Sequence, residues 1–249
     1  MHHLAFLAGA GLLAGAMNAI AGGGSFVSFP ALVFAGLPPV AANASSTVAV
    51  FPGTIASAWA YRHGLVETSD IGMRRMLPVT VAGGLCGAVL LLRTPAHVFD
   101  MVIPWLLLLA TLTFAFGDRV GAALRRTVRI GPATLLAVQF VISVYGGYFG
   151  GAVGLMMMAG WGLLTEGFDV KAMAPARTIL ISAANAAAVV LFIASGVVRW
   201  PETLALLGGA VAGGYGGAHV GRRLPRAVVR GWVLVLTAAI TVVFFRRAF

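Results

Sequence analysis

From Leu4 to Tyr61 the chain runs 58 residues without an Asp, Glu, Lys or Arg. A bilayer-spanning helix takes about 20 apolar residues, so this stretch is too long for one span and too apolar for a soluble domain. Gly22-Gly23-Gly24-Ser25 interrupts it. Each Gly in a helix interior costs about 1 kcal/mol relative to Ala, which predicts a helix up to the glycines, a break, and a short apolar helix over Phe26–Ala35. Further uncharged runs follow at Met76–Leu92, Met101–Gly117, Ile130–Thr165, Thr178–Val198, Thr203–Gly221 and Gly231–Phe245. Ile130–Thr165, at 36 residues, is again too long for one helix, and the glycines between Tyr145 and Gly154 break it. Non-helical backbone at membrane depth is stable only where protein buries it or where it lines a polar cavity. Broken helices are also how many transporters hold solutes. The pattern predicts an all-α integral membrane protein, a polytopic helical bundle with two Gly-broken helices.

Composition agrees: 60% of residues are hydrophobic and 10% charged, with a mean hydropathy of +0.97. The net charge of +10 would suggest nucleic acid in a soluble protein. Here the basic residues lie in short connections between apolar runs, which points to cytoplasmic anchoring and no nucleic acid. The lone Cys86 forms no internal disulfide, and no Cys/His cluster has metal-ligand spacing, so no metal or cofactor is expected. Leu4–Met17 has the look of a signal-peptide core. However, no Lys or Arg precedes it and the glycine motif follows directly, so it reads as the first membrane helix.

The chain also repeats itself at a shift of about 130 residues. Gly83, Gly84 and Gly87 fall on Gly213, Gly214 and Gly217, and the two glycine breaks come into register. This indicates a duplicated helical half, dividing the chain into a first membrane repeat (1–117), a basic cytoplasmic hinge (118–131) and a second repeat (132–249). If the halves run parallel, ten Lys/Arg fall inside and seven outside. If they are inverted, thirteen fall inside and four outside, the four being Arg93, Arg199, Arg246 and Arg247. Lys/Arg bias sets orientation, so the count leans toward inversion, though Arg246 and Arg247 pull the other way.

The chemistry concentrates at the breaks. A helix resuming after Gly22, Gly23, Gly24 and Ser25 offers unpaired N–H groups backed by its dipole, a ready anion site. Glycines there let a ligand approach the backbone. The other glycine clusters read better as tight helix packing. The second break offers Gly150 and Gly151, with Tyr145 and Tyr148 as phenols that could donate to an oxyanion or simply sit at the interface. Asn43-Ala44-Ser45-Ser46-Thr47 carries four polar residues in five, more than a helix cap needs, and reads as a hydrated surface. Arg177 opens a 21-residue uncharged run from Thr178 and is the candidate cation, unless it snorkels to headgroups. Asn18 and Asn185, polar and within apolar runs, should face the bundle interior. All seven acids lie in loops or at run edges, so no carboxylate stands mid-helix as a proton relay. No nucleophile–base pair or phosphate-binding loop is visible, and no enzyme is expected.

Gly15-Ala16-Met17-Asn18-Ala19-Ile20-Ala21-Gly22-Gly23-Gly24-Ser25, then Pro30, Gly36-Leu37-Pro38-Pro39 and Ala42-Asn43-Ala44-Ser45-Ser46-Thr47, resemble the TauE/SafE sulfite-exporter family of bacterial membrane permeases. Gly147-Tyr148-Phe149-Gly150-Gly151 and Gly213-Gly214-Tyr215-Gly216-Gly217 before Arg222-Arg223-Leu224-Pro225 resemble its C-terminal copy. The resemblance implies export of sulfite or an organosulfonate such as sulfoacetate across the inner membrane. Where that family often has Lys before a small polar residue, this chain has Arg177-Thr178.

The expectation is a multi-pass permease in the lipid bilayer, as a monomer or a homo-oligomer, whose two breaks meet near the midplane around an anion. Gly22, Gly23, Gly24, Ser25, Gly150, Gly151 and Arg177 would bind it, with Asn43, Thr47 and Asn185 along the path. The alternatives are a passive anion channel and a non-transporting subunit of a larger membrane complex.

Overall fold

The computed structural model describes residues 2–21, 23–61, 72–124, 132–151, 153–164, 170–221 and 226–248. Ten helices make up this part: α1 (His2–Ala21), α2 (Ser25–Phe34), α3 (Pro39–Tyr61), α4 (Met73–Arg93), α5 (Ala96–Leu124), α6 (Pro132–Tyr148), α7 (Val153–Leu164), α8 (Val170–Ala194), α9 (Trp200–Gly221) and α10 (Arg226–Ala248). Both long uncharged runs divide at their glycines into a long and a short helix, as the pattern required. α5 continues through Leu124, into the stretch read as a hinge, whereas residues 125–131 lie outside the described part.

Among the described residues, four segments are long and apolar enough to cross a membrane: Met73–Arg93, Ala96–Thr113, Pro175–Ala194 and Gly231–Ala248. His3–Ala19, Ser25–Phe34 and Ala133–Tyr148 are shorter apolar helices. The outward surface carries Trp59, Trp105, Val141, Val190 and Val235, each more than half exposed. Such a surface is unfavourable in water and suits lipid. The protein is a multi-pass membrane protein.

Small residues set how the helices pack. α1 lies on α9 and α6 on α4 in the two most extensive seams. A methyl group on Gly213 would strike the Leu12 carbonyl, and one on Gly87 the Val144 carbonyl, so both seams have backbone nearly against backbone. Gly83, Gly84, Gly209 and Gly217 are enclosed similarly, whereas Gly208 and Gly216 face open space. Exchanging α1–α5 for α6–α10 maps one contact onto another. Thus α2 touches α10 as α7 touches α5, while α3 meets α8 and α5 meets α10. Phe29 of α2 is the hub of the larger core, with the rings of Phe99, Phe149 and Phe244 at 6.5, 5.6 and 5.7 Å. A smaller core gathers Met76, Leu135, Val153, Met157, Trp161 and Leu180 around α7.

Residue pairs fix the helix directions. Gly11 abuts Leu206 and Gly15 abuts Ala210, so α1 and α9 run the same way. Gly83 abuts Ser143 and Gly84 abuts Gly147, so α4 and α6 do too. In contrast, Trp105 meets Phe245 and Thr111 meets Thr241, so α5 and α10 run oppositely. Ser45 on α3 accepts the Arg199 N–H at the start of α9. Tyr148 joins the first turns of α3 to the end of α4. Together these place Tyr61, Met73, Leu124, Pro132, Gly221 and Arg226 at one end of the bundle, and His2 and Ala248 at the other. The turn from α2 into α3 is sharp. Gly36, at φ +94°, donates to the Val33 carbonyl and Leu37 to the Leu32 carbonyl, closing α2 as a left-handed cap. Pro39 then opens α3 at the position where its missing N–H costs nothing.

Candidate functional site

The first break turns the chain back on itself. Gly22 lies outside the described residues; Gly23 and Gly24 are buried and Ser25 half-buried. α2 begins at Ser25 without a side-chain cap. The Gly24 carbonyl accepts the N–H groups of Val27 and Ser28, both at 3.0 Å, and the Ser28 hydroxyl at 3.2 Å. A methyl on Gly24 would lie 2.7 Å from the Ala14 carbonyl oxygen, whereas one on Gly23 would meet only the side-chain tip of Met17 at 3.1 Å and the Phe26 ring. Asn18 sits beside Gly24 and reaches toward Gly53 of α3.

The second break is held by the first half of the chain. The Tyr145 carbonyl accepts N–H from Phe149 at 2.9 Å and Gly150 at 3.5 Å. Gly150 then takes φ +78°, a conformation that favours glycine. Tyr148 ends α6 with a carbonyl that no further helical turn would satisfy. The Asn43 amide, buried to 2% exposure, donates to it at 2.8 Å. Thr47, one turn on, donates to the Asn43 carbonyl and borders Gly150. Gly151 is buried against the Phe149 ring.

The polar tract of α3 is therefore not a hydrated surface. Ser45 and Ser46 are buried like Asn43. Ser45 accepts the Arg199 N–H at 3.0 Å, and the Ser46 and Ser28 hydroxyls are 2.6 Å apart. The tract bonds α3 to α2, α6 and α9, because buried polar groups without water must find protein partners. The two phenols are also engaged within the bundle: Tyr145 donates to the Leu106 carbonyl and Tyr148 to the Thr94 hydroxyl, both at 3.3 Å.

Arg177 of α8 lies along the N-terminal turn of α7. The space beside Gly154, second residue of α7, is bounded by the Arg177 Cδ and Nε atoms and by Ile181. A guanidinium and a helix N-terminus thus occupy one side of the second break, a pairing that suits an anion. Asn185 lies two turns further on, next to Ala184, which abuts Gly84 of α4. Neither Asn18 nor Asn185 hydrogen-bonds another described residue through its amide. Every fully buried side-chain polar atom among the described residues has a partner, so these half-buried amides keep open polar surface inside apolar helices.

The breaks do not face each other at one depth. The second is level with Asn43 and Thr47 on α3, and the first, through Asn18, with Gly53. At 1.5 Å per residue they are staggered by about 9 to 15 Å. The reason is that α1 and α6 enter from opposite ends and each runs most of its length before breaking.

Gln139 was not anticipated as a structural residue. Fully buried on α6, it donates to the Thr80 hydroxyl at 2.8 Å and accepts from the Trp161 indole at 2.9 Å, tying α4, α6 and α7. An amide inside an otherwise apolar run was the available signal.

Known proteins resemble this chain along its length. The family model described as "Sulfite exporter TauE/SafE" matches residues 7–244. A "Probable membrane transporter protein ORF9" from Sinorhizobium sp is 28% identical, over 97% of this chain and 92% of its own. The "Probable membrane transporter protein YfcA" of Escherichia coli K12 is 28% identical over 92% and 85%. A "Probable membrane transporter protein" of Haemophilus influenzae is 26% identical over 96% and 92%. No solved structure matches. With two broken helices interlocked through α3 and a family match spanning nearly every helix, the chain belongs to the TauE/SafE sulfite-exporter family and is a membrane transporter, not an enzyme.

Proposed function

We propose that this permease exports a small anion, sulfite or an organosulfonate such as sulfoacetate, across the bacterial inner membrane. The observation that carries this reading is Arg177 lying along the N-terminal turn of α7, directly after the second break. A fixed cation and a helix dipole both favour an oxyanion there. Gly150 and Gly151 border the same turn; Gly22, Gly23, Gly24 and Ser25 supply the counterpart before α2. Asn18 and Asn185, with open amides, line the path between the staggered breaks. Asn43 and Thr47 position the second break rather than bind the solute, since the Asn43 amide is engaged at Tyr148. An anion leaving an inside-negative cell gains about 2.3 kcal/mol per charge per 100 mV, so export needs no coupling carboxylate.

The two halves are inverted copies in this reading. Two observations support it: the equivalent helices α5 and α10 run antiparallel, and the basic connections then gather on the cytoplasmic side.

Purified protein in proteoliposomes, challenged with sulfite, sulfoacetate, taurine and chloride, tests the function. The expected result is a saturable current for a sulfur oxyanion, with apparent affinity about tenfold weaker in Arg177→Ala. Gly23→Ala, which meets only the Met17 tip and the Phe26 ring, should fold normally and transport poorly. An unsaturable conductance would identify a channel instead. Unchanged affinity in folded Arg177→Ala would remove Arg177 from the site.

A further inference from the structure

At the end of the bundle that holds His2 and Ala248, a cleft of about 310 Å³ opens between the start of α5 and the end of α10. His97, Asp100 and Met101 line it from α5, and Phe244, Arg247 and Ala248 from α10. Each set is spaced i, i+3, i+4, so each is one face of its helix. The two faces oppose each other because the helices are antiparallel. The cleft is far from the breaks in sequence and plays no part in the transport site above.

We propose that this cleft binds the headgroup of a zwitterionic phospholipid, one carrying a phosphate and a primary ammonium. Its electrostatics are bipolar by construction. α5 presents its N-terminus, with the positive end of the dipole and His97 in its first turn. α10 presents its C-terminal carbonyls, the negative end. Each dipole end therefore stabilises the side-chain charge beside it, Asp100 near the first and Arg247 at the second. Asp100 adds a carboxylate for an ammonium, and Arg247 a guanidinium for a phosphate. Among the described residues no ion pair joins Asp100 to Arg247, so both remain available to a ligand with charges of both signs.

The surroundings select a lipid over a soluble zwitterion. Met101 is 48% exposed and continues into Trp105, which is 57% exposed and packs edge-on against Phe245 at 5.2 Å. This apolar strip runs from the charged rim toward the bilayer centre, as an acyl chain would. An aromatic one turn below a charged rim is also where membrane proteins place interfacial Trp. The cleft floor, Phe244, packs on Phe29 and Phe34 of α2, so an occupant would brace the helix that follows the first break.

The test is native mass spectrometry of the full chain released from nanodiscs of equal phosphatidylethanolamine and phosphatidylglycerol. Preferential retention of phosphatidylethanolamine is expected, by about fivefold, with the preference lost in Asp100→Asn. Arg247→Gln should lower retention of both lipids, whereas Arg93→Gln, at the same end but outside the cleft, should change neither. Equal retention of the two lipids, or a preference surviving both cleft variants in folded protein, overturns the proposal. Saturable binding of soluble phosphoethanolamine by lipid-depleted protein, abolished by Asp100→Asn, would assign the cleft to a soluble solute and overturn it equally.

Discussion

One side-chain amide, that of Asn43, closes the cut end of a helix more than a hundred residues away. Replacing it with Ala leaves the Tyr148 carbonyl buried without a donor. The expected loss is about 1–2 kcal/mol, read from unfolding in mixed micelles, and an unchanged midpoint would show the bond to be dispensable. Gln139→Leu removes two bonds at once, the acceptor of the Trp161 indole and the donor to the Thr80 hydroxyl. It should cost about 2 kcal/mol or more and shift Trp161 emission as the indole loses its acceptor. At this scale the sequence was only partly legible. Asn43, Ser45, Ser46 and Thr47 stood out as polar residues in an apolar setting, but their use did not. The partners Tyr148 and Arg199 lie 105 and 154 residues away, and no local pattern encodes a bond of that range. Arg177 stood out for its charge, yet its neighbour Gly154 became visible only in the folded chain.

At the scale of helices, α9 carries two glycine stripes with opposite fates. Gly213 faces the α1 backbone, whereas Gly208 faces outward with nothing within 4 Å. Gly213→Ala should force the α1–α9 seam apart, at a cost of about 1–3 kcal/mol. Gly208→Ala should be neutral or stabilise by up to about 1 kcal/mol through helix propensity. Thermal denaturation of the two variants in one detergent compares them directly, and equal effects would remove the seam as the explanation. Helix boundaries were largely legible because glycine runs punctuate apolar sequence strongly, and α2 begins one residue from its expected start. The extension of α5 through Asp118 and Arg119 was not legible. A charged pair reads as a loop, although helices commonly protrude past the bilayer and carry such residues at their ends.

For the whole molecule, the helix directions place His2 and Ala248 at the end opposite Tyr61, Met73, Leu124, Pro132, Gly221 and Arg226. Reporter fusions at Met1 and Phe249 should both report the outer face, while cysteines placed near Arg74 and Arg75 should label only from the cytoplasm. A C-terminus on the face opposite the N-terminus would refute the inverted arrangement. The recurring glycine pattern and the charge asymmetry were visible in the sequence, but the stagger of the breaks was not, because depth is set by where each helix meets α3. The seam between α1 and α9 has a further consequence for biosynthesis. At about 5–20 residues per second, the ribosome needs about 10–40 s after Gly11 to reach Leu206. The first helix therefore waits in the membrane with its glycine face unmatched until nearly the whole chain has emerged. Closure of the bundle is a late event, and truncation before α9 would leave every earlier helix synthesised and the first one without its most extensive seam.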